Sequence, residues 1–162
     1  MSIVLARIDN RLIHGQVLES WVPFVHADSI LVANDAVAGH AMQKILMTAA
    51  VPKGLGVFIE SLADAAKLLS GGILIDRKVL LLLATSADAL ALYRLGVLYD
   101  KLNLGNLHGG ANRRRVSCTI AFAPEDLANL GQLEAAGVRV VAQCIPADRE
   151  RDWKKLSPLP EG

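Results

Sequence analysis

Apolar runs and segments of helical period alternate from one end of the chain to the other. Ser2 to Ile8 reads as a first strand, and the polar stretch Asp9-Asn10-Arg11 leads toward a helix beginning near Gly15. Ile30 to Ala33 is a second strand. The helix after it, about residues 36–50, sets Ala38, Met42, Ile45, Leu46 and Ala49 on one face. Pro52 and Gly54 then break the chain. Gly56 to Ile59 is a third strand, and Ser61 caps a helix through Leu69, with Asp64 in its first turn. Lys78 to Ala84 is the clearest buried strand, and Ser86 is placed to cap the next helix. Leu102 to Leu104 opens a strand that runs into Gly105-Asn106-Leu107-His108-Gly109-Gly110. Val116 to Ala121 is a further strand. Pro124 stands in the first turn of a helix that ends before Gly137, and Val138 to Ile145 is the last strand. A polar tail follows, in which Trp153 and Leu156 are spaced to pack back on the body.

This β-α-β-α order shows no repeat or linker, and with right-handed crossovers it predicts a three-layer α/β/α open, mostly parallel sheet in a single domain spanning residues 1–162. Strand order does not follow from the pattern. Ligand sites in such folds lie beyond the carboxyl ends of the strands. Three polar patches qualify: Asp9 to Gln16, Asn34-Asp35 and Asn103 to Gly110.

Composition agrees: 52% of residues are hydrophobic and only 4% aromatic, so the core is aliphatic, as buried parallel strands require. A mean hydropathy of +0.37 points to apolar surface covered by a partner or a second copy of the chain. Seventeen basic against sixteen acidic residues give no reason to expect nucleic-acid binding. The longest aliphatic run, Val79 to Ala84, is far short of the ~20 residues that span a bilayer. Arg7 and Asp9 come too early for a signal peptide. Cys118 and Cys144, in neither CxxC nor zinc spacing, read as buried reduced thiols of a cytoplasmic protein.

The chemistry concentrates in Arg7-Ile8-Asp9-Asn10-Arg11-Leu12-Ile13-His14-Gly15-Gln16. The stretch leaves a strand and enters a helix, where free N–H groups and the helix dipole favour an anion. Arg11 supplies a planar cation that grips two phosphate oxygens. His14 supplies a ring lone pair able to attack phosphorus, and Gly15 lets the backbone pass close by. These are the parts of phosphoryl transfer, in which the protein mainly positions groups and balances charge. A loop histidine near an arginine is also often an ordinary solvated residue. GxGxxG, GxxxxGK[ST], HExxH and GxSxG are all absent.

The same ten residues resemble the active loop of the IIB subunits of the mannose/fructose/sorbose family of the bacterial phosphotransferase system, close to R-I-D-[DN]-R-L-I-H-G-Q. The likeness runs along nearly the whole chain, through Trp21, Val32-Ala33-Asn34-Asp35, Leu102-Asn103-Leu104-Gly105-Asn106, Gly137-Val138 and Pro146. It implies that a IIA domain phosphorylates His14, at Nδ1, and that the group then passes to a sugar held by membrane IIC/IID subunits. It also implies that Arg11 binds the phosphate and that neither metal nor diffusible cofactor takes part. A cytoplasmic carrier at the membrane permease follows, with sugar choice left to the membrane subunits.

Asp9, an anion, is unsuited to touch phosphate; it orients Arg11 or the His14 ring, or caps the loop. Asn10 and Gln16 flank the histidine. Asp35, Asn103 and Gly105 come from neighbouring strand ends; for Asn103, Gly105 and Asn106 a purely backbone role in left-handed conformation is the simpler reading. His108 is the other histidine near the site, while His26 and His40 sit on helix ends or surfaces. Arg113 to Arg115 either keep a strand edge soluble or meet a partner. Leu12, Ile13 and Trp21 either centre a docking contact or point into the core. Two other functions stay open: a regulatory phosphohistidine protein, and a non-catalytic small-anion or nucleotide-binding module.

Overall fold

The computed structural model describes residues 2–156. Its centre is a seven-stranded sheet in the order β3-β2-β4-β1-β5-β8-β9. These strands are β1 (Ser2–Asp9), β2 (Ser29–Ala33), β3 (Gly56–Glu60), β4 (Lys78–Leu83), β5 (Lys101–Asn106), β8 (Arg139–Ala142) and β9 (Arg151–Asp152). All pair in parallel except β9, which closes the edge antiparallel to β8. The expected three-layer α/β/α architecture is the one observed.

Buried side chains sort by strand parity, as the pleat requires. Leu5, Ile30, Val32, Leu80 and Leu82 face one layer together with Val17 and Trp21 of the first helix. Ala6, Ile8, Leu31, Leu81 and Leu83 face the other, packed by α4 (Leu62–Ser70), α5 (Ser86–Arg94) and α6 (Pro124–Ala135). The first helix, α1, covers residues 15–25; it opens into a π-turn over Val17–Trp21 and closes as α over Val22–Val25. It begins at Gly15, as expected. Its connection carries the chain from β1 to β2 on one side, whereas β5 leads through α6 to β8 on the other. β1 and β5 are neighbours, so the crevice between their carboxyl ends is the switch point where open α/β sheets hold ligands.

Four local expectations are corrected. The helix expected over about residues 36–50 breaks at Gly39-His40 into α2 (Asp35–Ala38) and α3 (Ala41–Ala50), with the His40 ring accepting from the Gln43 N–H. The break resets the helical phase. Within α3, Met42, Ile45 and Leu46 still share a face, and that face is about 60% exposed. Val116 to Ala121 is not a strand: β6 (Arg114–Arg115) and β7 (Ala121–Phe122) form a small separate hairpin around a turn. Ser117 Oγ holds that turn by accepting from the N–H groups of Thr119 and Ile120. Thr85, not Ser86, caps α5, and Ser86 Oγ turns inward to Asp126. Finally, Cys118 is exposed and Cys144 half-buried, both as free thiols. Trp153 and Leu156 pack into the core as the spacing predicts.

Candidate active site

The site is built on an arginine that the sequence reading passed over. Arg7 lies inside β1 with no exposed surface. A guanidinium has five N–H donors and stays charged in such a place only if they are met. Here Nε donates to Asp9 at 3.3 Å, and Nη1 donates to Asn103 Oδ1 and, at 2.9 Å, to the Gln143 carbonyl. Nη2 donates to the Cys144 carbonyl at 3.1 Å and lies 3.3 Å from Asp9. The Trp21 ring lies 4.9 Å from the guanidinium carbon, and its own N–H donates to that same Cys144 carbonyl. Gly105, on the neighbouring strand, leaves room for the group. A Cβ there would come within 1.9 Å of Nη2 and 2.1 Å of the guanidinium carbon. The glycine therefore serves close approach and not left-handed backbone, since its φ is not positive.

Asp9 lies two residues on, on the same face of β1, and is also fully buried. Its carboxylate accepts from Arg7, from Asn106 Nδ2 at 3.0 Å, from the Arg11 N–H at 3.1 Å and from His14 Nε2 at 2.9 Å. Burial alone would raise its pKa. The hydrogen bonds from His14 and Asn106, joined by the Arg7 charge, outweigh burial and hold it below the usual aspartate value. Burial lowers the Arg7 pKa against the opposing pull of Asp9.

The loop between Asp9 and His14 is a tight turn, with the Leu12 N–H donating to the Asp9 carbonyl at 2.8 Å and Leu12 itself at φ +57°. A non-glycine residue there stores strain of order 1 kcal/mol. Burial of Leu12 and Ile13 in the layer under α1 holds the turn closed. Those two residues and Trp21 are core, which corrects the docking alternative. With Asp9 a carboxylate, Nε2–H donates to it, so in the neutral ring the lone pair lies on Nδ1, which is buried and has no hydrogen-bond partner among the described residues. The His14 carbonyl accepts from the Leu18 N–H, so His14 stands at the start of α1, and Gly15 and Gln16 form its first turn.

The remaining candidates divide. Asn103 holds Arg7 and bonds Gln143 through its amide; Asn10 ties the loop to its neighbour, its N–H on the Asn106 carbonyl and its amide on the His108 carbonyl. Arg11 is exposed. Asp35 is not brought to this cluster: β4 intervenes, and its carboxylate accepts from the Leu62 N–H at 2.9 Å. His26 ends α1 in left-handed conformation. Arg113 is built into the fold through Asp126 and the Ala121 carbonyl, while Arg114 and Arg115 are exposed. Sequence reasoning gave Arg7 no role, and it missed that Trp21 lies on Arg7 and that the Asn106 side chain donates to Asp9. The available signal was a charged side chain in the middle of an otherwise apolar strand, Ser-Ile-Val-Leu-Ala-Arg-Ile. Among the described residues no His/Cys/Asp/Glu cluster suits a metal, and no helix is long and apolar enough to cross a membrane.

Residues 3–160 match the family described as PTS system sorbose subfamily IIB component. The N-acetylgalactosamine-specific phosphotransferase enzyme IIB component 2 of Escherichia coli K12 is 37% identical over 156 residues, 96% of this chain and 98% of that protein. The IIBSor domain of the sorbose permease from Klebsiella pneumoniae superposes with a TM-score of 0.89 at 30% identity, over 94% of this chain and 93% of that one. The mannose-specific EIIAB component of E. coli K12 is 28% identical over 148 residues, 91% of this chain but 46% of that protein.

Proposed function

The chain belongs to the sorbose-subfamily IIB components of the sugar phosphotransferase system, and from that premise we propose that Nδ1 of His14 is the atom that carries the phosphoryl group. The carrying observation is the 2.9 Å bond from Nε2 to Asp9, which commits one ring nitrogen and leaves the other as nucleophile. In the proposed step the Nδ1 lone pair forms a bond to phosphorus as the donor's phosphorus–nitrogen bond breaks. No base is required, because the ring proton stays on Nε2. Positive charge that develops on the ring is met by the Asp9 carboxylate, which Arg7 and Asn106 hold in place. Arg11 and the N–H groups at the start of α1 receive the phosphate oxygens.

The donor is a IIA domain, a pairing that the EIIAB relative carries in its name, and the acceptor is a sugar held by membrane IIC/IID subunits. The chain acts as one cytoplasmic IIB domain at the permease. Exposed Met42, Ile45 and Leu46 support contact with a further protein surface, a second copy included. The test is phosphoryl uptake from phosphoenolpyruvate through the general phosphotransferase proteins and a IIA donor. His14→Ala should abolish it with the fold intact, and the native phosphate should be acid-labile and base-stable. An acid-stable phosphate, or full labelling of the mutant, would overturn the assignment.

A further inference from the structure

Nδ1 of His14 has a property that phosphoryl acceptance does not tolerate: it is buried, and the whole side chain is only 7% exposed. Phosphorus must reach the ring along the axis of the lone pair, so the atom has to be uncovered before it reacts. Nδ1 and Asn10 Oδ1 are the buried side-chain polar atoms without a hydrogen-bond partner among the described residues, and both belong to one short loop.

The inner side of that loop is fixed. Leu12 and Ile13 are core, the Arg11 and Leu12 N–H groups bond Asp9, and Asp9 is held by Arg7 and Asn106. The neighbour on the other side is held far more lightly. Residues 108–112, His-Gly-Gly-Ala-Asn, are exposed throughout and belong to no helix or strand. Gly109, Gly110 and Asn112 lie at φ +87°, +83° and +59°, which glycine and asparagine adopt at small cost. Among the described residues a single hydrogen bond reaches this segment, from Asn10 Nδ2 to the His108 carbonyl at 2.8 Å. The chain on either side is anchored, Leu107 through the Thr119 carbonyl and the Ala121 N–H, and Arg113 through Asp126. Asn10 is also a weak fastener, because in making its bond it strands its own amide oxygen, an unmet acceptor that opposes the gain. Exposed segments with so few bonds are the ones that open by local fluctuation.

We propose that residues 108–112 are a flap that closes off His14 Nδ1 in the resting protein, with Asn10 as its latch. Release of the Asn10–His108 bond lets the flap swing on Gly109 and Gly110, uncovers the nucleophile and brings water to the stranded amide oxygen. Asn10 is thus a positioning residue: it sets how often His14 can accept, and it touches no reacting atom.

The flap deepens the phosphocarrier reading, since it concerns the atom that reading makes the nucleophile, but its test needs no carrier protein. The probe is phosphoramidate, a small reagent that transfers its phosphoryl group to imidazole and leaves as ammonia. Peptide mapping compares His14 with His26 and His40, which are exposed in the same chain. With an open form populated at roughly 0.1–10%, His14 should be labelled about ten- to a thousandfold more slowly than those two. Asn10→Ala and Asn10→Asp, neither able to donate to the His108 carbonyl, should speed labelling of His14 by about two- to tenfold, the weight of one lost hydrogen bond. Amide hydrogen exchange in β1 and α1 should stay at the parent rate, which a general loosening of the fold would raise. Parent protein labelled at His14 as fast as at His26 would overturn the proposal. So would variants that label His14 no faster than the parent, or that do so only with faster exchange in β1. The expected labelling without any uptake from a IIA donor would remove the carrier reading and leave the flap standing.

Discussion

Replacing Gly105 by alanine tests the architecture beneath His14 more sharply than any change to His14 itself. In the interior of a strand the substitution ordinarily stabilises by roughly 0.5–1 kcal/mol, because alanine loses less backbone freedom on folding. Here the added methyl would fall 1.9–2.6 Å from Nη2, the central carbon and Nε of Arg7, all well inside contact distance. Arg7 has no direction of retreat. Trp21 lies on it at 4.9 Å, and its donors are committed to Asp9, Asn103 and two carbonyls. The guanidinium must leave at least part of that set, and breaking a buried ion pair costs about 3–5 kcal/mol. At about 2–4 °C per kcal/mol for a chain of this size, the melting temperature should fall by roughly 6–20 °C. Thermal melts and urea titrations of Gly105→Ala, Arg7→Met and the double variant check this as a cycle. The clash has no partner once Arg7 is methionine, so the double variant should be no less stable than Arg7→Met alone. A Gly105→Ala protein that melts at or above the parent temperature would refute the reasoning.

Other outcomes follow from the same geometry. Asp9→Asn removes the charge behind His14 Nε2 and leaves Arg7 unbalanced; with a charge-assisted hydrogen bond worth about 1.5–3 kcal/mol, phosphoryl uptake should slow by roughly ten- to a hundredfold in rapid-quench assays. Asp9 is held below the ordinary aspartate value of 3.8. A carboxylate so depressed adds stability that is complete above its unfolded value and is lost as pH falls through its folded one. Urea midpoints should therefore drop below about pH 4, and Asp9→Asn should show a shallower acid limb. Arg11→Lys keeps charge but loses the two-pronged grip, so transfer should slow by about ten- to a thousandfold with an unchanged melting temperature. Ile13→Asp puts a carboxylate into the layer under α1 and should lower the melting temperature by many degrees, with activity falling in step with folded protein.

How much of this was legible in the sequence depended on whether a residue's partner was near it in the chain. The loop from Asp9 to Gln16 carried its own chemistry, and Ser61, Pro124 and the unbroken run in β4 announced their elements locally. Arg7 did not, because its partners come from β5 (Asn103) and from the chain just after β8 (Gln143 and Cys144), which only the sheet order brings within its reach. Gly105 looked like a turn glycine for the same reason: the group that requires it is some hundred residues away in the chain. Asp35 matched a motif but lies across β4, and its carboxylate accepts from the first N–H of α4. The apolar stripe of α3 was legible at its period, but that it faces outward is set by how the helix sits on the sheet, which the period does not encode.

The π-turn of α1 has a consequence for which lengths of chain remain workable here. Its defining bond, from the Val22 N–H to the Val17 carbonyl, spans one residue more than an α-helical bond does. Deleting one residue between Val17 and Trp21 would restore an ordinary helix. It would also rotate one side of the cut by about 100° relative to the other, so Trp21 could not keep its seat on Arg7 while Gly15 keeps its place beside His14. The shortened chain would hold the more regular helix and the poorer active loop. Natural variation across this segment should accordingly exchange residues freely and lengths hardly at all, with the surplus residue retained by selection on the histidine upstream.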